Sequence, residues 1–370
     1  MYSESDIEAA VASGAITPAA AAALRESVAQ ASSTSSVDEE SFRLITGFND
    51  IFVTIAAILL LVAIGWIGFT VAVPQEWSGS DEESARRLAH GLLVAGALVA
   101  AASWGLAEYF TRKRRMALPS IILLGTFVYA TAAALGGALG SVFSLANNDR
   151  VGSVVFAAIG LLTAGAAWLH WRRFHVPITI AALTGALVFA LVSLFMAAFP
   201  AARDYWLWIM LLGGLSVFAF AMWWDMSDRQ RQTRRSDVAF WLHLSAAPMI
   251  AHPVFNLLGV FDGQIGAAKA FVVLILYVAF GIIALAVDRR ALLVSSLIYV
   301  LSALAELFRQ AGAVSLNIAL TALVIGSALL LLSAFWHNVR RMVVTALPED
   351  LQARLPALDR AVVVTPRAAI

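Results

Sequence analysis

His252 and Asn256 stand four residues apart in the segment FWLHLSAAPMIAHPVFNLLGVF, which begins at Phe240. On a helix that spacing puts both polar side chains on one face. An imidazole beside a carboxamide can hold a solute or relay a proton, or supply the base of a transferase. His243 lies nine residues earlier, about half a turn out of phase on an ideal helix, and cannot share a ligand with His252 there. Pro248 and Pro253 each remove a backbone donor, so a bent or broken helix is predicted, with His252 near mid-membrane. Discontinuous helices with polar groups at that depth are how many transporters build sites. The plainer alternative also stands: bundles tolerate proline kinks, and one histidine can bond a neighbouring group.

Other chemistry-bearing residues are few. Glu306 and Arg309 are three apart and share a face near a helix end, a spacing that predicts an interfacial ion pair. The six histidines (90, 170, 175, 243, 252 and 337) form no i, i+4 pair, and no HExxH, GxSxG or P-loop pattern occurs. With no cysteine there is no disulfide, thiolate metal site or thiol nucleophile. No catalytic residue, metal site or cofactor is expected.

These residues are set in a sequence of 370 residues that is 61% hydrophobic and 13% charged. Soluble domains carry about 25% charged residues, so a bilayer rather than water must absorb this surface. The expected fold is an all-α polytopic transmembrane bundle of about ten spans. They are 51–73, 88–110, 119–145, 151–171, 176–199, 205–224, 238–261, 269–287, 291–308 and 315–336. In the third, Ala132, Gly136, Gly140 and Ser144 recur every four residues, a small-residue stripe that lets a neighbouring helix approach. Ala181 and Gly185 repeat the pattern in the fifth. Tryptophans such as Trp66, Trp104, Trp206 and Trp336 fall near span ends, where an indole favours the interface.

Alternating the spans leaves six basic residues on one side: Arg86, Arg87, Arg150, Arg203, Lys269 and Arg309. The other nineteen lie on the side of both termini, which are therefore expected in the cytosol. The first fifty residues contain no apolar signal core, so the run from Ile51 is expected to act as both targeting signal and anchor.

Three regions follow. Residues 1–41 read as a cytosolic helical hairpin and flexible linker, 42–337 as the bundle, and 338–370 as a cytosolic tail with a short amphipathic helix. In the hairpin Ser5 and Glu8 have capping-box spacing, Gly14 can end the first helix, and Thr17 with Pro18 can begin a second. A DNA-reading role is excluded by charge: Glu4, Asp6, Glu8 and Glu26 outweigh Arg25, and the chain's net charge is only +1. A protein partner at the hairpin and the lipid bilayer are the partners expected, and nucleic acid is not. In the tail, Pro348 followed by Glu349 and Asp350 suits a helix start.

The segment SFRLITGFNDIFVTIAAILLLVAIGWIG, from Ser41 to Gly68, follows a hairpin containing GAITPAAAAAL, from Gly14 to Leu24. Together they resemble a bacterial family of membrane proteins known as domain of unknown function 2157. The likeness covers Met1 to about Glu108 and is architectural beyond that. It implies a bacterial inner-membrane protein and carries over no site residue. Three functions fit the sequence: a permease for a small or lipid-like solute, a membrane scaffold or envelope-assembly partner, and an integral-membrane transferase using His252.

Overall fold

In a computed structural model of the chain, residues 7, 10–24, 48–73, 80–142, 149–231, 233–260, 266–310 and 316–358 are described. All ten apolar segments are helical. The first five are α1 (Phe48–Ala72), α2 (Asp81–Ala107), α3 (Ala117–Val142), α4 (Asp149–Phe174) and α5 (Ile178–Ala198). They are followed by α6 (Trp206–Met226), α7 (Arg234–Leu257), α8 (Ala267–Val287), α9 (Ala291–Gln310) and α10 (Asn317–Ala334). Two short helices close the described chain, α11 (Trp336–Thr345) and α12 (Glu349–Gln352). Among the described residues nine helices are long and apolar enough to cross a bilayer, and α10 with α11 forms a tenth candidate bent by 76°. The protein is an all-α, membrane-embedded helical bundle.

Local chemistry sets the helix ends. Ser80 caps α2 by accepting from the Glu83 amide, and Asp81, Glu82 and Glu83 fill the first turn, where negative charge meets exposed amides. A π-helical turn, Glu108–Lys113, continues α2. Thr233 caps α7 by accepting from the Arg235 amide at 3.2 Å. Asp288 ends α8 in the left-handed region, with φ of +59°.

Two units are separable by contact: residues 1–43 with 357–370, and residues 44–356. In the first, the helix through Ala10 stops at Gly14, whose φ of +73° suits a residue without Cβ. Thr17 then caps the helix over 18–24 by accepting from the Ala20 amide at 3.1 Å. The Ser5–Glu8 pair and the 31–41 linker lie outside the described residues.

In the second unit, close glycine contacts join α1 to α2, α2 to α3 and α4 to α5. A Cβ on Gly137 of α3 would stand 2.3 Å from the Ala89 carbonyl oxygen of α2. One on Gly96 of α2 would stand 2.6 Å from the Ala130 oxygen of α3, so only hydrogen fits at either place. The closest seam therefore lies one residue round the helix from the predicted Ala132, Gly136 and Gly140 stripe. A Cβ on Gly136 would meet only Ile159, at 4.0 Å, and Ser144 lies outside the described residues. Likewise α5 receives Gly160 of α4 at Ala186 and Ala190, while a Cβ on Gly185 would meet nothing within 4 Å.

The larger apolar core gathers α6 to α9 around α7, with Leu242, Ala246, Ala247, Ala251 and Phe255 fully enclosed. More than half of the α7 membrane window is buried (56%), the largest share among the nine spans. A helix shielded from lipid by its neighbours can carry polar residues that an outer helix cannot. That enclosure accounts for the concentration of histidines and prolines in α7.

Candidate functional site

Two buried carboxylates organise one end of the second half. Asp225 sits in the last turn of α6, with a fully enclosed side chain. Its Oδ1 accepts from Arg289 Nη2 at 2.7 Å, and its Oδ2 lies 2.9 Å from His243 Nε2 on α7. Arg289 occupies the turn between α8 and α9 and also donates to the Ser236 carbonyl at 3.0 Å. One carboxylate thus ties α6 and α7 to the α8–α9 turn. Each ion removed from water costs several kcal/mol, about what close pairing must offset.

Asp288 is the neighbouring centre. Arg231 donates to its Oδ2 at 2.8 Å, and the Trp336 indole to its Oδ1 at 2.8 Å. Arg340 approaches the same oxygen at 3.7 Å and donates to the Pro356 carbonyl at 2.7 Å. Arg231 reaches the Val287 carbonyl as well, at 3.1 Å. Glycine would be the unstrained residue at this left-handed helix end, and aspartate is among the few side chains that tolerate it. The carboxylate is what Arg231, Trp336 and Arg340 require there. Nearby, Arg229 donates to the carbonyls of Leu355 and Gln352, so the tail packs on the loop between α6 and α7.

The predicted polar residues of α7 do not form one site. His243 belongs to the Asp225 centre. His252 lies about one and a half turns from the end of α7, beside Trp206, which opens α6. Its Nδ1 stands 2.8 Å from the hydroxyl of Tyr299 on α9, and Tyr299 stacks on Phe255 with ring centroids 4.6 Å apart. Asn256 is half-buried one turn on. The helix runs unbroken from Arg234 to Leu257 through both prolines, so of the bend or break predicted for it the break does not occur. Glu306 and Arg309 do form their ion pair, with Gln310 as a further donor to the glutamate. Among the described residues, no group of three or more His, Asp or Glu is placed to hold a metal ion.

The first half holds a different buried histidine. His170 of α4 is fully enclosed by the rings of Trp104, Phe127 and Phe174, and neither ring nitrogen has a hydrogen-bond partner. Beyond it, Glu108 receives Arg173 in a two-pronged contact at 2.6 and 2.9 Å, joining the end of α2 to α4.

The chain matches no family model, no curated protein and no solved structure.

Sequence reasoning passed over Asp225, Asp288 and Arg289 because each borders a span, where a charge is ordinarily solvated. A signal was present at the α8–α9 connection. Asp-Arg-Arg joins two spans with no glycine, and aspartate is the one of the three that best tolerates a left-handed cap.

Proposed function

We propose that this chain is a bacterial inner-membrane protein with cytosolic termini, working as a non-catalytic membrane scaffold or assembly partner. The observation that carries the proposal is the paired state of the buried polar groups in the second half. Asp225 is matched by Arg289 and His243, and Asp288 by Arg231 and Trp336. Charges joined in this way favour one arrangement of α6 to α9 and fix the surface helix α11 to it. The cytosolic hairpin at residues 1–41 is the natural contact for a protein partner. Orientation is supported by the side on which basic residues gather.

A permease for a small or lipid-like solute is the second reading, favoured by one feature. An imidazole–carboxylate pair buried between spans is able to exchange a proton as a carrier changes state. The absence of cysteine makes the two readings separable. A single Ala246→Cys substitution places a thiol at the fully buried centre of α7. A scaffold leaves that thiol inert to membrane-impermeant reagents applied to either face of sealed vesicles. Reaction from both faces would reveal an alternating cavity and replace the scaffold with a carrier. Periplasm-dependent reporters fused at Gly79 and Gly263 should be active, and those at Arg114 and Arg231 silent.

A further inference from the structure

Arg290 is the third residue of the Asp288-Arg289-Arg290 turn and differs from Arg289 in its surroundings. Arg289 is buried against Asp225, whereas Arg290 is exposed and lies over the Trp336 ring at 4.7 Å. Among the described residues no carboxylate pairs with it. Below it a groove of about 190 Å³ runs between α9 and α10, walled by Leu293, Leu297, Leu329 and Leu332. An apolar space of this kind gives water too few partners, and acyl chains fit it well. The mouth lies where the chain turns by 76° from α10 into α11. That bend changes the path from crossing the bilayer to running along its surface. Trp336 is then at headgroup depth, the level tryptophan favours.

From this placement we infer that the α9–α10 groove binds one anionic phospholipid of the leaflet at that end. Its acyl chain lies against the four leucines, and its phosphate sits on the Arg290 guanidinium. Charge complementarity selects the ligand. Asp288 is already engaged by Arg231 and Trp336, so the positive charge of Arg290 is left facing the headgroups. Arginine matches a phosphate through two parallel donors, and the indole beneath holds the guanidinium in place.

The test uses the full-length protein in phosphatidylcholine vesicles doped with a phospholipid carrying a photoreactive acyl chain. The probe is a phosphatidylglycerol in one arm and a phosphatidylcholine in the other, and cross-linked peptides are mapped by mass spectrometry. The expected result is labelling concentrated on the groove-facing peptides of α9 and α10. It should be about fivefold stronger for the anionic probe, as one basic side chain near a headgroup provides. Arg290→Gln should reduce the anionic probe to the level of the neutral one, and Arg290→Lys should retain most of the preference. Leu297→Trp, which fills the groove and leaves the cation, should remove labelling by both probes. Equal labelling by the two probes in the unaltered protein would overturn the inference. So would anionic labelling unchanged by Arg290→Gln, or labels spread evenly over all lipid-facing helices.

Discussion

The two halves of the bundle are held by different balances of close packing and buried charge. Between α2 and α3 cohesion comes from close backbone approach, where Gly96 and Gly137 allow contacts that no side chain would permit. Between α6, α7 and the α8–α9 turn a close approach at Gly214 is joined by buried charge, with Asp225 and Asp288 at the centres. The buried histidines follow the same division: His170 is enclosed by aromatic rings, and His243 is bonded to a carboxylate. In lipid, apolar surface alone gives helices little reason to associate, so packing and polar contacts must supply it. Packing adapts gradually to small displacements. A paired buried charge does not, because moving one partner exposes the other to a medium that cannot solvate it.

The sharpest way to break this contrast is at Asp225. Replacing it with alanine leaves Arg289 without its carboxylate inside the protein, which should cost about 3–5 kcal/mol. Thermal unfolding in detergent, followed by Trp fluorescence, reads the loss. Adding Arg289→Met to Asp225→Ala should recover much of it, since the stranded charge is removed too. A loss below about 1 kcal/mol would put the carboxylate among ordinary solvated pairs and end the distinction between the halves.

In the glycine seam the effect should be smaller but still clear. Gly137→Ala forces α2 and α3 apart by the contact its Cβ cannot make, at roughly 1–3 kcal/mol. Gly136→Ala, one residue round the same helix, meets only Ile159 at an ordinary 4.0 Å and should be close to neutral. Equal losses at the two positions would show that the seam follows the four-residue stripe after all.

How far the sequence could be read differs in the same way. All ten helices were legible because each needs about twenty apolar residues, a requirement that composition alone displays. The Thr17 cap and the Gly14 stop were legible as local chemistry. The Glu306–Arg309 pair was legible because both partners lie on one helix. The Asp225 centre was not, since its partners come from three separate segments and their approach depends on tertiary packing. The place of His252 along its helix was not legible either. α7 begins at Arg234, upstream of the apolar run, so His252 lies toward the helix's far end. The small-residue stripe pointed to the right helix, but the tightest contacts with α2 fall on a second row of small residues, Ala130, Ala134 and Gly137, while Gly136 has only Ile159 near it.

The smallest expected effect is at His170, and its sign matters more than its size. The imidazole nitrogens have no partner within the ring of Trp104, Phe127 and Phe174, so a buried polar group is held there without compensation. Phenylalanine has a similar flat shape and asks for no hydrogen bond, and such replacements are nearly neutral or stabilising. His170→Phe should therefore leave the unfolding temperature unchanged or raise it, by an amount equivalent to about 0–1 kcal/mol. The matched change His243→Phe withdraws one of the partners of Asp225 and should lower stability by about 1–3 kcal/mol. Measured together in one detergent, the two variants use the same chemical substitution in two surroundings. If His170→Phe proves as damaging as His243→Phe, His170 must have a polar partner of its own. The first half would then hold its buried histidine by a polar contact, as the second does.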